Sequence, residues 1–159
     1  MPVAQDFRSF GSCPCGASKF EVRGKVLTRF VCHCTICQGL YKAPFADVAT
    51  LWSSAVEVTT PASVGYRRYR LPPAVSRGTC NACGAPVVGR MLLAPFMRVA
   101  LVPTRNLASA DGLPAPGSHI FYHRRVSDAA DDVPKFSGYW RSLVAVTVRI
   151  VAGMMRGGA

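Results

Sequence analysis

The sequence predicts a single small domain built mainly of β-strands. Its 159 residues are half apolar, which is enough to bury one sizeable core. Twelve prolines and fourteen glycines separate short apolar runs, a pattern that favours strands and turns over long helices. There is no internal repeat beyond two matching cysteine pairs and no domain linker, so a second domain is not expected.

Four segments carry strand signals. FEVRGKV and FVCHC are expected to form strands on either side of a turn near Gly24, and MRVALVP a buried strand. Residues 103–118, rich in Pro, Gly, Ala and Ser, are expected to form a surface loop. LVAVTVRIV alternates apolar residues from Val144 to Ile150 and predicts one more strand. It is too short, and carries Arg149, for a membrane span.

The strongest functional signal is a set of seven cysteines in three tight clusters: Cys13 and Cys15, then Cys32, Cys34 and Cys37, then Cys80 and Cys83. The count is odd and neighbours one residue apart are poorly placed for a bridge, which favours metal over disulfides. The sequence begins without the charged and then apolar segments of a signal peptide, which also argues against a secreted disulfide framework. Thiolates at such spacings favour zinc, which takes four of them in a tetrahedron.

Seven ligands divide most simply into one closed site and one open site. CPCG and CNACG match each other, and each ends in a glycine that can adopt the positive φ needed to turn N–H groups toward the sulfurs. Together they predict a structural zinc site: Cys13, Cys15, Cys80 and Cys83. The trio Cys32, Cys34 and Cys37 would hold a second ion with one open position. The competing division joins Cys13 and Cys15 to Cys32 and Cys34, and leaves Cys37 with Cys80 and Cys83.

The chemistry of the open site follows from its charge. Three thiolates on a divalent ion leave a net negative, soft site, which favours an incoming thiol as the fourth ligand. The expected reaction is therefore thiol activation and attack on an electrophile, rather than hydrolysis. The alternative is that His33, His119 or His123 closes the site and makes it inert. In an extended segment the ring of His33 would point to the opposite face from its cysteine neighbours.

Three runs of the chain, GSCPCGASKFEVRG, CHCTICQGLYKAPFADV and SRGTCNACGAPVVGRM, resemble the glutathione-dependent formaldehyde-activating enzyme family, which also includes centromere protein V. The resemblance extends through HIFYHRRVSDAADDVPKFSG and covers about residues 8–138, which leaves 139–159 as a C-terminal extension. It implies a small zinc-containing β-tent (Mss-type) domain with a structural zinc on the outer cysteine pairs and a catalytic zinc on the central trio. The implied activity is a carbon–sulfur lyase that forms S-(hydroxymethyl)glutathione from glutathione and formaldehyde.

The resemblance also assigns roles to single residues. The catalytic set is Cys32, Cys34 and Cys37, and the expected substrate-binding residues are His33, Gln38, Phe45 and His119. Gln38 stands where the family often has a basic residue. Apart from the resemblance, Phe45 and Trp52 are aromatic residues that either wall the thiol pocket or belong to the core. His119 is expected to orient substrate or move a proton, or else to be a hydrogen-bonded histidine at a strand start. Asp131 and Asp132 are expected to face solvent in a polar turn.

The net charge of +11 is suited to an anionic partner, but a basic run of this kind is more often a solvated strand face with packed tyrosines. Arginines at 67, 68, 70 and 77 interleave with Tyr66 and Tyr69, but no recognition helix or RNA-binding aromatic motif accompanies them. A small thiol such as glutathione is the expected partner, nucleic acid is not favoured, and no membrane association is expected. We expect a cytoplasmic monomer or homodimer. The rival interpretation is a non-catalytic zinc module that binds nucleic acid or the cytoskeleton, and a thiol redox enzyme would need a cysteine outside both metal sites.

Overall fold

The computed structural model of this chain describes residues 6–70 and 75–157, which contain ten strands and two α-helices joined by loops and short 3-10 turns. The predicted small, mainly β domain is therefore confirmed. The elements, in chain order, are β1 (Phe7–Ser12), β2 (Lys19–Gly24), β3 (Thr28–Cys32), α1 (Thr35–Tyr41), β4 (Ala46–Trp52), β5 (Val56–Val58), β6 (Val64–Arg68), β7 (Ser76–Cys80), β8 (Gly89–Ala94), β9 (Met97–Pro103), β10 (Ser118–Ile120) and α2 (Tyr139–Gly157).

The strands form two sheets. The smaller sheet has the order β1-β2-β5, and the larger has the order β10-β3-β4-β9-β8-β7-β6. All neighbouring strands are antiparallel except β10 and β3, which run parallel. One apolar cluster, around Phe20, Leu51 and Val102, includes residues from both sheets. A second cluster, around Phe30 and Ile150, joins the larger sheet to both helices.

The strands expected near the first two cysteine clusters are present. FEVRGKV contributes β2 and FVCHC contributes β3, with the connection lying after Gly24. MRVALVP is β9, and its residues Val99 and Val102 are fully buried because β9 is an interior strand of the larger sheet. Most of the predicted loop is irregular, with one short 3-10 turn at Thr104–Asn106.

The expected C-terminal strand is wrong, because LVAVTVRIV lies inside helix α2. The apolar alternation is also compatible with a helix, because Val146 and Ile150 lie four residues apart and so share one helix face. Both are buried, whereas Val144 and Val148 are exposed.

Close packing fixes α2 against the sheet. A Cβ atom at Gly153 would lie only 2.2 Å from the Leu27 carbonyl oxygen, so glycine allows the helix to approach the β2–β3 connection. Near the other end of α2, the buried Ser142 hydroxyl accepts a hydrogen bond from the Phe121 N–H at 2.8 Å. Within residues 6–70 and 75–157, no helix is both long enough and apolar enough to cross a membrane.

Candidate metal centres and reaction site

The two outer cysteine pairs meet at one place. The sulfurs of Cys13, Cys15, Cys80 and Cys83 all lie within 4.8 Å of one another. The first pair follows β1 and the second begins at the last residue of β7, so the cluster connects the two sheets. Gly16 and Gly84 have φ values of 80° and 73°, as the matching turns require. The N–H of Ser18 donates to Cys13 Sγ at 3.3 Å, a contact that favours a thiolate.

The central trio forms a second, buried cluster. Cys32 ends β3, Cys34 is the N-cap of α1 and Cys37 lies in its first turn. Their sulfurs lie within 4.8 Å of one another, and all three residues are buried. The Cys37 N–H donates to Cys34 Sγ at 3.4 Å. The competing division of the cysteines is therefore not the arrangement observed.

No histidine joins the trio among the described residues. The ring of His33 is turned away from it, and its Nε2 lies 2.8 Å from Nδ1 of His119. Nε2 of His119 in turn lies 2.9 Å from an oxygen of Asp131, and Nδ1 of His123 accepts a hydrogen bond from the Gly138 N–H. Among the described residues, the structure thus brings three cysteines and no histidine to this cluster.

The two hydrogen bonds that join His33, His119 and Asp131 run in one direction, from donor to acceptor toward Asp131. Because the Asp131 carboxylate accepts from His119 Nε2–H, Nδ1 of His119 is left to accept from His33 Nε2–H. Burial, to which the nearby cation Arg125 adds a smaller contribution, lowers the pKa of His33 to about 4, so its ring is neutral at pH 7. His119 lies in β10, in agreement with the hydrogen-bonded histidine expected near a strand start.

Asp131 differs from the expectation of a purely solvent-facing side chain. It is 43% exposed, yet its two oxygens pair with Lys135 Nζ and His119 Nε2, each at 2.9 Å. Those hydrogen bonds, first from Lys135 and then from His119, lower the pKa of Asp131 to about 2. Sequence reasoning missed this role because His119 and Asp131 meet only when the segment after β10 folds back on it.

Gln38 and Phe45, expected to bind substrate, lie on the histidine side of the trio. The Gln38 amide donates to the carbonyl oxygens of His33 at 2.7 Å and of Arg124 at 2.8 Å. Phe45 packs at 5.8 Å from the His33 ring and is 46% exposed. Both contacts hold the cysteine segment in place. Neither side chain lines the cavity that borders the trio, and the same holds for Trp52.

That cavity has a volume of about 100 Å³ and mostly apolar walls. All three trio cysteines border it. Sheet residues such as Phe30, Val48 and Leu101 form one side, and α2 covers the other side with four residues: Tyr139, Leu143, Val146 and Ile150. The trio therefore borders a space whose walls are mostly apolar.

Arg77 on β7 brings a cation to the trio. Its Nη1 donates to Cys37 Sγ at 3.4 Å. Burial alone would lower the pKa of Arg77, but the negative charge on Cys37 and its neighbours outweighs burial and raises it. The sequence places Arg77 close to the arginines at 67, 68 and 70, and nothing in that basic run indicates that one of them is half-buried. A half-buried guanidinium offsets the negative charge that three thiolates leave around a divalent ion.

The sulfurs themselves fit a metal ion. Hydrogen bonds from Cys32 and Cys37 lower the pKa of Cys34 to about 2, and the partnership with Cys34 raises the pKa of Cys32. The trio thus already stabilises one thiolate by sharing the remaining protons, and a soft dication can replace those protons. The donor set and the adjacent cation Arg77 are both appropriate for zinc.

A cleft with positive charge adjoins the apolar cavity. Its lining residues are Cys34, Thr35, Arg70, Phe121, His123, Arg124, Tyr139 and Trp140. The guanidinium of Arg70 lies over the rings of Phe121 and Tyr139, 5.4 and 5.6 Å from their centroids. Cys34 borders both the cleft and the cavity, so a ligand in the cleft can place one end at the trio.

Replacing Arg77 with alanine is expected to weaken metal retention at the trio about 10- to 100-fold, the usual effect of losing a group that supports metal ligands. Arg67→Ala is the matched control, because Arg67 lies opposite Arg77 in the sheet but is exposed. The measurement is zinc per chain during dialysis against a graded chelator. Fully loaded parent protein should hold two ions and lose one first. Equal retention by the two variants would contradict a supporting role for Arg77.

Replacing Asp131 with asparagine is expected to lower the Tm at pH 7, whereas Asp132→Asn should leave it unchanged. Because the folded-state pKa of Asp131 is about 2 and an unfolded aspartate titrates near 3.9, the stabilisation is complete above about pH 4. It is lost as the pH falls from about 4 to 2. The Tm difference between parent and variant should therefore be constant from pH 5 to 8 and shrink in more acid buffer. A difference that grew on acidification would contradict the assignment.

The family model of the glutathione-dependent formaldehyde-activating enzymes matches residues 8–124. The chain belongs to this family. No curated protein matches the sequence. A crystal structure of a Rhodobacter sphaeroides protein, determined as a structural genomics target, is similar with a TM-score of 0.52 at 20% identity, covering 64% of this chain and 90% of that chain. At that identity the likeness supports the fold alone.

Family membership suggests glutathione-dependent formaldehyde activation and gives the two cysteine clusters a context. The matched range contains all seven cysteines as well as His119. It ends before α2, so the helix that covers the cavity over the trio lies outside the matched residues.

Proposed function

We propose that this family member is a cytoplasmic, zinc-dependent, thiol-activating enzyme with a β-tent fold and two zinc ions. The outer cluster holds the structural ion and the trio holds the catalytic one. The nominal reaction joins glutathione and formaldehyde to S-(hydroxymethyl)glutathione, which belongs to the carbon–sulfur lyase class. Residues 8–138 form the enzyme domain and residues 139–159 form its extension.

One observation carries the proposal: three buried cysteine sulfurs converge beside a cavity, with no histidine or carboxylate among them in residues 6–70 and 75–157. Structural zinc sites are closed by four protein ligands, and catalytic sites keep a position for water or substrate. The outer cluster has four cysteines, as a closed structural site requires, and the trio has three, as a catalytic site with one open position requires. A soft, thiolate-rich position is suited to a sulfur ligand.

Zinc at the trio would supply a soft Lewis acid that lowers the pKa of an incoming thiol. The chain's own residues do the rest. Arg77 offsets the excess negative charge next to Cys37, and the apolar walls keep water from the reacting sulfur. Arg70 and Arg124 place positive charge in the cleft, where the carboxylates of a thiol such as glutathione would lie.

The chemical step balances without an oxidant or reductant. The thiol sulfur attacks the carbonyl carbon and forms a C–S bond, while the π electron pair moves to oxygen. The proton lost by the thiol ends on that oxygen. A redox enzyme is less well supported, because all seven cysteines lie in the two clusters.

The rival function, a module that binds nucleic acid or another polyanion, has weaker structural support. Arg67 and Arg68 are exposed on β6, but Arg67 lies over the Tyr69 ring at 5.0 Å and Arg70 belongs to the cleft beside the trio. Changing all three arginines to alanine should flatten the salt dependence of any polyanion binding. Tight, salt-sensitive binding that persists after loss of the trio's metal would favour the rival.

Magnetisation-exchange NMR tests the proposed reaction. With glutathione and ¹³C-formaldehyde at equilibrium, zinc-loaded protein should accelerate exchange between free aldehyde and S-(hydroxymethyl)glutathione well above the spontaneous rate. Removing the more labile ion should return the rate to the spontaneous one, and adding zinc back should restore it. An unchanged exchange rate with fully loaded protein would refute the enzyme proposal.

A further inference from the structure

The cavity beside the trio is larger than the nominal substrate needs. Formaldehyde has a single carbon, whereas the space has about 100 Å³ and walls that are mostly aliphatic and aromatic. The polar ends of a thiol have their own place in the cleft around Arg70 and Arg124, outside this space. The nominal reaction therefore leaves this apolar cavity, called the chamber below, without an occupant.

Helix α2 forms the side of the chamber that faces the sheet, which we call its roof. Val146 and Ile150 are almost fully buried at its roof, and Leu143 and Tyr139 complete the same side. Because the family-matched residues end at 124, this roof is a feature of the present chain's extension rather than of the matched domain. The small Gly153 and the hydrogen-bonded Ser142 hold the helix at this height above the sheet.

The dimensions limit what can enter. An apolar cavity of about 150 Å³ binds benzene and stays dry. The chamber has about two thirds of that volume, which corresponds to a chain of about four carbons by the same measure. Its apolar walls offer little to a charged group, apart from Arg77 and Arg70 at its edges.

We propose that the electrophile of this enzyme is an aldehyde with an apolar chain of about four carbons, held in the chamber under α2, with Val146 as a specificity-determining residue. The inference rests on the proposed thiol-activating function and specifies its substrate class. The thiol enters through the cleft, its sulfur reaches the trio beside Cys34, and the aldehyde chain extends beneath α2. The new C–S bond gives a hemithioacetal, and the thiol proton ends on the former carbonyl oxygen.

Exchange rates with a series of aldehydes test the substrate class. Zinc-loaded protein and glutathione are combined with ethanal, propanal, butanal, pentanal and hexanal, and each rate is divided by the spontaneous rate for that aldehyde. Each added methylene that fits should raise this ratio about fourfold, the effect of burying one CH₂, until the chamber is full at butanal or pentanal. A ratio that is flat or falls from ethanal onward would overturn the proposal.

A matched pair of variants locates the effect. Val146→Phe fills the chamber and should lower the butanal-to-ethanal ratio at least tenfold, while Val148→Phe, on the exposed face of the same helix, should leave that ratio unchanged. Val146→Ala enlarges the chamber and should move the optimum to a longer aldehyde, which keeps the test valid if the phenylalanine variant folds poorly. Equal ratios in all three variants would overturn the role of Val146.

A binding measurement separates this inference from the proposed function. Butan-1-ol has the same chain but cannot form a hemithioacetal. It should shift the NMR signals of the Ile150 methyl groups saturably in the parent and in Val148→Phe, but not in Val146→Phe. The Val146 methyl signals should shift as well in the parent and in Val148→Phe, and methanol should shift none of these signals. If no aldehyde is turned over, the proposed function fails and the aldehyde assignment with it, while the alcohol titration still shows whether the chamber accepts an alkyl chain. Absence of butanol shifts despite aldehyde turnover overturns the chamber alone.

Discussion

Replacing Cys80 with serine is expected to unfold the protein or to lower its Tm by at least about 10–20 °C. Cys80 lies at the end of β7, and its sulfur is 3.7 Å from that of Cys15 after β1, so the cluster joins the two sheets. Structural zinc contributes on the order of 10 kcal/mol in small zinc domains, comparable to the whole stability of a domain. Losing half of that contribution lowers the Tm by the stated range in a domain of this size.

The control is Ala82→Ser, an exposed position between Cys80 and Cys83 in the same turn. It should melt like the parent and keep two zinc ions per chain. Circular dichroism melting and metal analysis on both variants give the comparison. If Cys80→Ser melted with the parent and Ala82→Ser, the outer cluster would not be structural.

Replacing Cys34 with serine is expected to reduce glutathione–formaldehyde exchange by more than about 100-fold, because losing a metal ligand exceeds the usual 10- to 100-fold effect of losing a supporting group. The fold should persist, since the outer cluster is untouched and a serine hydroxyl can still cap α1 by accepting from the Cys37 N–H. The variant should therefore melt within a few degrees of the parent and retain one zinc.

Thr35→Ser serves as the neighbouring control, because Thr35 is exposed in the first turn of α1 and borders the cleft without contributing a sulfur. It should keep two zinc ions. Cys34→Ser protein that retained most of the exchange activity would rule out the trio as the reaction centre. A large fall in its Tm would instead show that the trio, like the outer cluster, is structural.

The parts of the fold that the sequence predicts correctly are those whose signal is local. The strand MRVALVP carries a continuous apolar run, and interior strands of a covered sheet have that pattern. The C-terminal segment fails for a physical reason. Val146 and Ile150 fit both the two-residue period of a strand and the four-residue spacing of a helix, so the pattern is ambiguous. The segment is a helix because its buried face packs against β3 and β10, a contact that the sequence does not reveal.

The candidate site divides in the same way. Spacing alone brings Cys32, Cys34 and Cys37 together, because β3 passes directly into α1. The pairing of His119 with Asp131 and the placement of Arg77 depend on tertiary contacts, between a chain segment and β10 in one case and between β7 and α1 in the other. No pattern within the sequence identifies which of several arginines becomes buried. The chamber roof is not predictable for the same reason, because the apolar pattern of this segment predicts a strand where the structure has α2.

Cobalt substitution at the trio tests most directly whether an incoming thiol becomes a ligand there. With zinc retained in the outer cluster, thiolate-to-cobalt charge-transfer bands report the number of sulfurs at the central ion. Glutathione should intensify those bands. Its apparent affinity should rise with pH toward the thiol's own pKa, about 8.5 for a cysteine thiol, because binding releases a proton.

S-methylglutathione has the same carboxylates but cannot supply a thiolate, so it should leave the cobalt spectrum unchanged even if it enters the cleft. If glutathione and its S-methyl derivative change the spectrum alike, or if neither changes it, then the trio does not activate thiols and the proposed reaction centre is wrong.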